Sequence, residues 1–122
     1  MNKSLNPKIL RERTKQFALR IIKVADALPR TAAGRTIGNQ LIRSGTSVGA
    51  NYRAACRGRS KAEFGAKLHI VLEEADESVF WLELIVEAGL LPADKIKSIL
   101  DEANELTAIF AKSYFTAKKN KS

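Results

Sequence analysis

The sequence predicts an all-α fold, an antiparallel up-down-up-down four-helix bundle. Three observations predict it. Apolar residues recur at alternating spacings of three and four in four separate runs. Helix start and stop signals set those runs only a few residues apart, and short connections make neighbouring helices antiparallel. No stretch alternates with a period of two, so no sheet is expected. At 122 residues the chain fits one domain, 1–122, which can bury roughly two-thirds of its unfolded surface without metal or disulfide staples.

The first helix is expected over about 7–28, with Leu10, Phe17, Ile21, Val24 and Leu28 on one stripe. Asn6 can accept first-turn amide hydrogens, Pro7 suits the first helical position, and Pro29 closes the run. The second helix, about 34–57, carries Ile37, Leu41, Ser44, Val48, Tyr52 and Ala55. It starts between Thr31 and Thr36, and Gly58 is its stop.

The third helix, about 61–88, opens on a capping box, Ser60-Lys-Ala-Glu63, in which each side chain can serve the other residue's amide. Its stripe is Phe64, Leu68, Val71, Ala75, Ser78, Leu82 and Ile85, and Gly89 ends it. Pro92 opens the fourth helix, about 92–117, with Ile96, Ile99, Ala103, Leu106, Phe110 and Tyr114 inward. Residues 118–122 are expected to form a disordered tail.

The segment from Arg43 to Arg59 holds four arginines and no acid, with small residues between them. A loop does not fit, because the apolar stripe runs straight through it. Gly45 to Gly49 matches the spacing of a nucleophile elbow around Ser47. That elbow needs a strand before it and a histidine with an acid nearby. Here no strand is expected and His69 is the one histidine. A helix fits: glycine in a helix costs about 1 kcal/mol against alanine, so Gly45 and Gly49 imply a close backbone approach.

At about 100° per residue, Arg35, Arg43, Arg53 and Arg57 fall within a sector of about 80° opposite that stripe. Arg59 and Lys61 extend the charge around the turn. Three readings of this face stand: a solvated surface, a contact with a polyanion or acidic protein, and a subunit interface. Arginine throughout the second helix favours specific contacts, since its planar fork grips phosphate or carboxylate in two places.

The formal net charge is +8 and unevenly spread. Residues 1–30 sum to +6, residues 31–61 to +6, residues 62–94 to −7 and residues 95–122 to +3. Such a balance favours polyanions or acidic partners. In the acidic third helix, Phe80 and Leu84 point away from the core stripe amid Glu73, Glu77 and Glu87. With Leu19 and Ile22 on the outer side of the first helix, they are candidate oligomer contacts.

One cysteine and one histidine supply no zinc-ligand set, and no metal, cofactor or small-molecule substrate is expected. Cys56 reads as a packed small residue and suits a reducing cytoplasm. No signal peptide or membrane-length apolar run is visible. No catalytic residue is assigned: nucleophile-base pair, phosphate loop and facing carboxylates are all missing.

Arg43-Ser-Gly-Thr-Ser-Val-Gly-Ala-Asn51, Arg57-Gly-Arg-Ser60, Glu63-Phe64 and Glu87-Ala-Gly-Leu-Leu91 resemble the four-helix-bundle proteins encoded in intervening sequences of bacterial 23S ribosomal RNA genes. The superfamily includes the accessory variability determinant of diversity-generating retroelements. The resemblance spans residues 15–115. It implies a homopentameric, barrel-like ring of bundles. For the retroelement relative it implies basic surfaces that bind nucleic acid and a reverse transcriptase. Where the family pattern has Ala-Asn-Ile-Ala-Glu-Gly, this chain has Ala50-Asn-Tyr-Arg-Ala-Ala-Cys56, which makes the second helix more basic.

The leading expectation is a non-enzymatic, oligomeric basic bundle that binds RNA or DNA with little sequence preference. Arg35, Arg43, Arg53, Arg57, Arg59 and Lys61 would contact phosphate, joined by Lys8, Arg11, Lys15 and the C-terminal lysines. The alternative is an assembly module whose arginines meet the acids of a neighbouring copy or of an acidic protein such as a polymerase.

Overall fold

The computed structural model describes residues 6–119 as four helices, α1 (Pro7–Asp26), α2 (Ala32–Cys56), α3 (Lys61–Glu87) and α4 (Ala93–Lys119), with no strand among them. The start signals work as their chemistry requires. Asn6 Oδ1 accepts from Lys8 N at 2.9 Å, and Thr31 Oγ1 accepts from Gly34 N at 3.1 Å, which fixes the start of α2. Ser60 Oγ accepts from Glu63 N at 3.1 Å. Glu63 reaches back one residue further than in a capping box, to Arg59 N at 2.9 Å.

The ends follow two different routes. Gly89, at φ +68°, closes α3: its N–H donates to Val86 O, and Leu90 N donates to Ile85 O at 2.9 Å. Gly58 is not left-handed, and α2 stops one residue earlier in ordinary backbone geometry. The expected frayed tail is corrected in part. Lys118 and Lys119 form the last turn of α4, where positive charge complements the helix dipole, and residues 120–122 lie outside the described part.

Each helix packs against its sequence neighbours, and α4 returns beside α1. Ile21 lies on Gly45 and Thr14 on Gly49, so α1 and α2 run antiparallel and close together. Between α2 and α3 the buried hydroxyls of Ser44 and Ser78 meet at 2.9 Å. Phe17, Leu41, Leu82 and Phe110 are fully buried, and the Tyr52 and Phe110 rings lie 5.2 Å apart in the core. Among the described residues no buried polar side-chain atom lacks a partner.

The α1–α4 seam is the thinnest and is bridged by polar groups. Arg13 grips Glu102 in two places, Nε to Oε2 at 3.2 Å and Nη2 to Oε1 at 2.7 Å. Glu105 stands 3.3 Å from the same guanidinium, and the bond to Glu102 raises the Arg13 pKa further. About two turns along, Arg20 donates to Ser98 Oγ at 2.8 Å. These bonds set the relative height of the first and last helices.

Candidate nucleic-acid interface

Antiparallel helices bring distant stretches of chain to the same end. The starts of α1 and α3 meet the finishes of α2 and α4. The half of each helix at that end (residues 7–16, 45–56, 61–74 and 107–119), with the α2–α3 turn, carries twelve basic and four acidic residues. The remaining described residues carry seven basic and nine acidic. The blocks of charge along the sequence thus resolve into a polarity along the bundle axis. Two helix N-termini and two C-termini share the basic end, so their dipoles largely cancel and side chains set the field.

A cleft of about 580 Å³ opens there between the α1 start and the α2–α3 turn. Arg11, Arg59 and Lys61 line it, with Cys56 and Phe64 behind them. Arg53 and Arg57 project into solvent from the last turns of α2. Among the described residues, Arg11, Arg53, Arg57, Arg59 and Lys61 form no ion pair. Tyr52 is buried in the core beside Cys56: burial pushes its phenol up, the neighbouring Cys56 adds to that, and Arg11 opposes it. Cys56 is half-buried and free.

The second helix is one rod through Arg35, Arg43 and Arg53 that ends at its cap residue Arg57, all four exposed, yet the four arginines do not act together. Arg43 reaches across to α3: its Nη1 lies 3.1 and 3.2 Å from the two oxygens of Glu74, and its Nη2 donates to Glu77. Glu77 also accepts from Trp81 Nε1 at 3.0 Å. The bonds from Arg43 and Trp81 hold the Glu77 carboxyl below the usual carboxylate range, while that to Glu77 raises the Arg43 pKa. Arg43 is therefore a structural cation within the bundle. Arg35 sits at the opposite end, donating to Arg30 O at 3.0 Å. Arg53, Arg57, Arg59 and Lys61 remain together, joined by Arg11.

The apolar candidates also divide. Leu19, Ile22 and Phe80 are exposed, Phe80 at 53%. Leu84 is corrected: it packs against the core, because α3 is held by both α2 and α4 and buries a wider sector than one stripe. Ser47 lies mid-helix with its Oγ donating to Arg43 O at 2.6 Å, which removes the elbow geometry. Asn51 likewise bonds its own helix, at Ser47 O. Among the described residues no cluster of His, Cys, Asp or Glu could hold a metal, and no helix is long and apolar enough to cross a membrane.

Sequence reasoning placed Tyr114 in the core stripe of the fourth helix. It is half-buried at the basic end, its ring centroid 5.0 Å from that of His69. Phe115, 59% exposed, follows it with Lys112 and Lys119 alongside. The signal for this surface was the spacing of small residues Ala62, Gly65 and Ala66 opposite Ala117, which periodicity alone does not distinguish from packing.

The chain matches the family model described as 23S rRNA-intervening sequence protein over residues 8–112. No curated protein matches it. A crystal structure of a protein with unknown function from the S23 ribosomal protein family of Bacteroides thetaiotaomicron superposes with a TM-score of 0.81. The two are 30% identical, and the match covers 88% of this chain and 96% of that one. With its glycine-faced second helix, its four-helix order and a match across most of its length, the chain belongs to the 23S rRNA-intervening sequence protein family.

Proposed function

We propose that this protein binds RNA or DNA backbones through the basic end of its bundle, with little sequence preference and without catalysis. The observation that carries this is the segregation of charge along the bundle axis, with Arg11, Arg59 and Lys61 lining one cleft, Arg53 and Arg57 exposed at the same end, and none of the five in an ion pair among the described residues. Cations that neutralise one another's repulsion by binding phosphate release the counterions of the nucleic acid. Five phosphate contacts correspond to a slope of log affinity against log salt of about −4 to −5 on duplex DNA, a loss of several hundredfold between about 50 and 200 mM. Titration of a labelled RNA and a labelled DNA duplex at those two salt levels tests it. No binding at low salt, or affinity indifferent to salt, overturns it.

A second reading rests on a separate observation, the exposure of Leu19, Ile22 and Phe80. Large apolar side chains on the outer faces of α1 and α3 favour self-association, in the ring of five that the family resemblance suggests. That reading takes in kinship with the retroelement accessory determinants and an acidic protein partner such as a reverse transcriptase. Light scattering on wild type and on a Leu19→Asp, Phe80→Asp variant tests the assembly. A wild-type monomer, or an oligomer untouched by both changes, removes it.

A further inference from the structure

The basic end holds a second opening, between the start of α3 and the finish of α4. It is a slot of about 320 Å³, within the size of small-ligand sites. Its floor is small residues, Ala62, Gly65, Ala66 and Ala117, and its wall is aromatic. The His69 and Tyr114 rings stand 5.0 Å apart and tilted by 35°. Lys61 and Lys118 flank the opening. No acid is among the residues that line it, and Glu73 stands 3.9 Å from His69 Nδ1.

Gly65 makes the slot. A glycine inside a helix is less favourable than alanine, so it calls for a neighbour that needs the room. At Gly45 and Gly49 that neighbour is α1. At Gly65 a Cβ would meet nothing within 4 Å. The space belongs to no part of the described chain.

An open slot lined by small residues, with an aromatic pair at its side and ammonium groups beside it, fits the chemistry of a nucleobase with its phosphates. Bases stack on aromatic rings whatever their identity, while lysines follow the backbone. A base inside a duplex is already paired and stacked and cannot enter. We infer that this slot takes one unpaired base of a single-stranded nucleic acid, with the adjoining phosphates on Lys61 and Lys118. Lys61 lines both openings, so the strand continues from the slot over Lys61 to Arg59 and Arg11. The inference rests on the proposed backbone binding and adds a preference for single strands.

Fluorescence anisotropy with a twelve-nucleotide oligo(U), an oligo(dT) of equal length and a duplex of equal phosphate number tests it, on wild type and Gly65→Leu. Leucine restores helix propensity and fills the slot, and circular dichroism checks that the variant folds. Wild type is expected to prefer the single strands. Gly65→Leu is expected to weaken their binding about tenfold, the effect of losing one base stack, and to leave duplex binding unchanged. A Tyr114→Leu variant, which keeps the apolar bulk and removes the ring, is expected to do the same. Equal binding of single strand and duplex, unmoved by either change, overturns the slot and leaves the backbone reading standing. Loss of both ligands together in the folded variants also overturns it. Failure of wild type to bind any of the three overturns both.

Discussion

A Cβ placed on Gly45 would stand 2.7 Å from Cγ2 and 3.1 Å from Cβ of Ile21. Ile21 is branched at that carbon and fully buried, so it has no flexible end to move aside. The helix α2 carries a glycine at this point because the branched side chain of Ile21 from α1 is already there. Gly45→Ala is expected to lower stability by about 1–2 kcal/mol, overpacking outweighing the gain in helix propensity. Gly65→Ala is expected to raise it by about 0.5–1 kcal/mol, since nothing meets the added carbon. Urea unfolding of the two variants beside wild type checks the opposite signs.

Ser44 and Ser78 form the polar contact at the centre of the α2–α3 interface. Ser78 Oγ lies 2.9 Å from both Ser44 Oγ and Glu74 O, and Ser44 Oγ lies 3.3 Å from Leu41 O. Either Ser→Ala change is expected to cost about 1 kcal/mol, while the double change costs less than the two combined, since no hydroxyl is then left without its partner. A double-mutant cycle by thermal or urea unfolding reads the coupling. Strict additivity would mean that each hydroxyl is satisfied by its own helix alone.

The Arg43–Glu77 pair gives stability an acid-side dependence. Glu77 is held below the ordinary carboxylate range in the folded chain, so the unfolded chain binds its proton more readily. The stabilisation is complete above that range and is lost as the pH falls through the depressed folded value. Arg43→Gln removes the leading cause of the depression. Its unfolding midpoint, followed from pH 7 down to pH 3, is expected to fall less steeply than that of wild type. Parallel curves would assign the acid sensitivity to other carboxylates.

Charge reversal separates the arginines by role. Arg57→Glu with Arg59→Glu is expected to leave the thermal midpoint nearly unchanged, because both are exposed and unpaired among the described residues. The same change is expected to weaken nucleic-acid binding at least tenfold and to flatten the salt slope by about 2. Arg43→Glu is expected to do the reverse, lowering the midpoint by placing a third carboxylate beside Glu74 and Glu77 while changing binding little. Anisotropy titrations and melting curves on the same samples check both halves.

The sequence by itself determined the four helices, the caps at Asn6 and Ser60 and most of the buried stripes, and left the start of α2 between Thr31 and Thr36. Those features repeat within a turn or two of chain: Asn6, Thr31 and Ser60 act on amides at most three residues away. It also showed that Gly45 and Gly49 require a close neighbour. Which cations are free was decided by tertiary structure, because pairing depends on the height at which separate helices meet. Arg43 and Arg53 share a helix and a face, yet Arg43 meets Glu74 and Glu77 while Arg53 forms no ion pair among the described residues. Arg13 and Glu102 meet across 89 residues of chain, and the gathering of four basic half-helices at one end arises the same way. Helix periodicity records the direction of a side chain around its own axis; the neighbour it finds there is fixed by the register between helices.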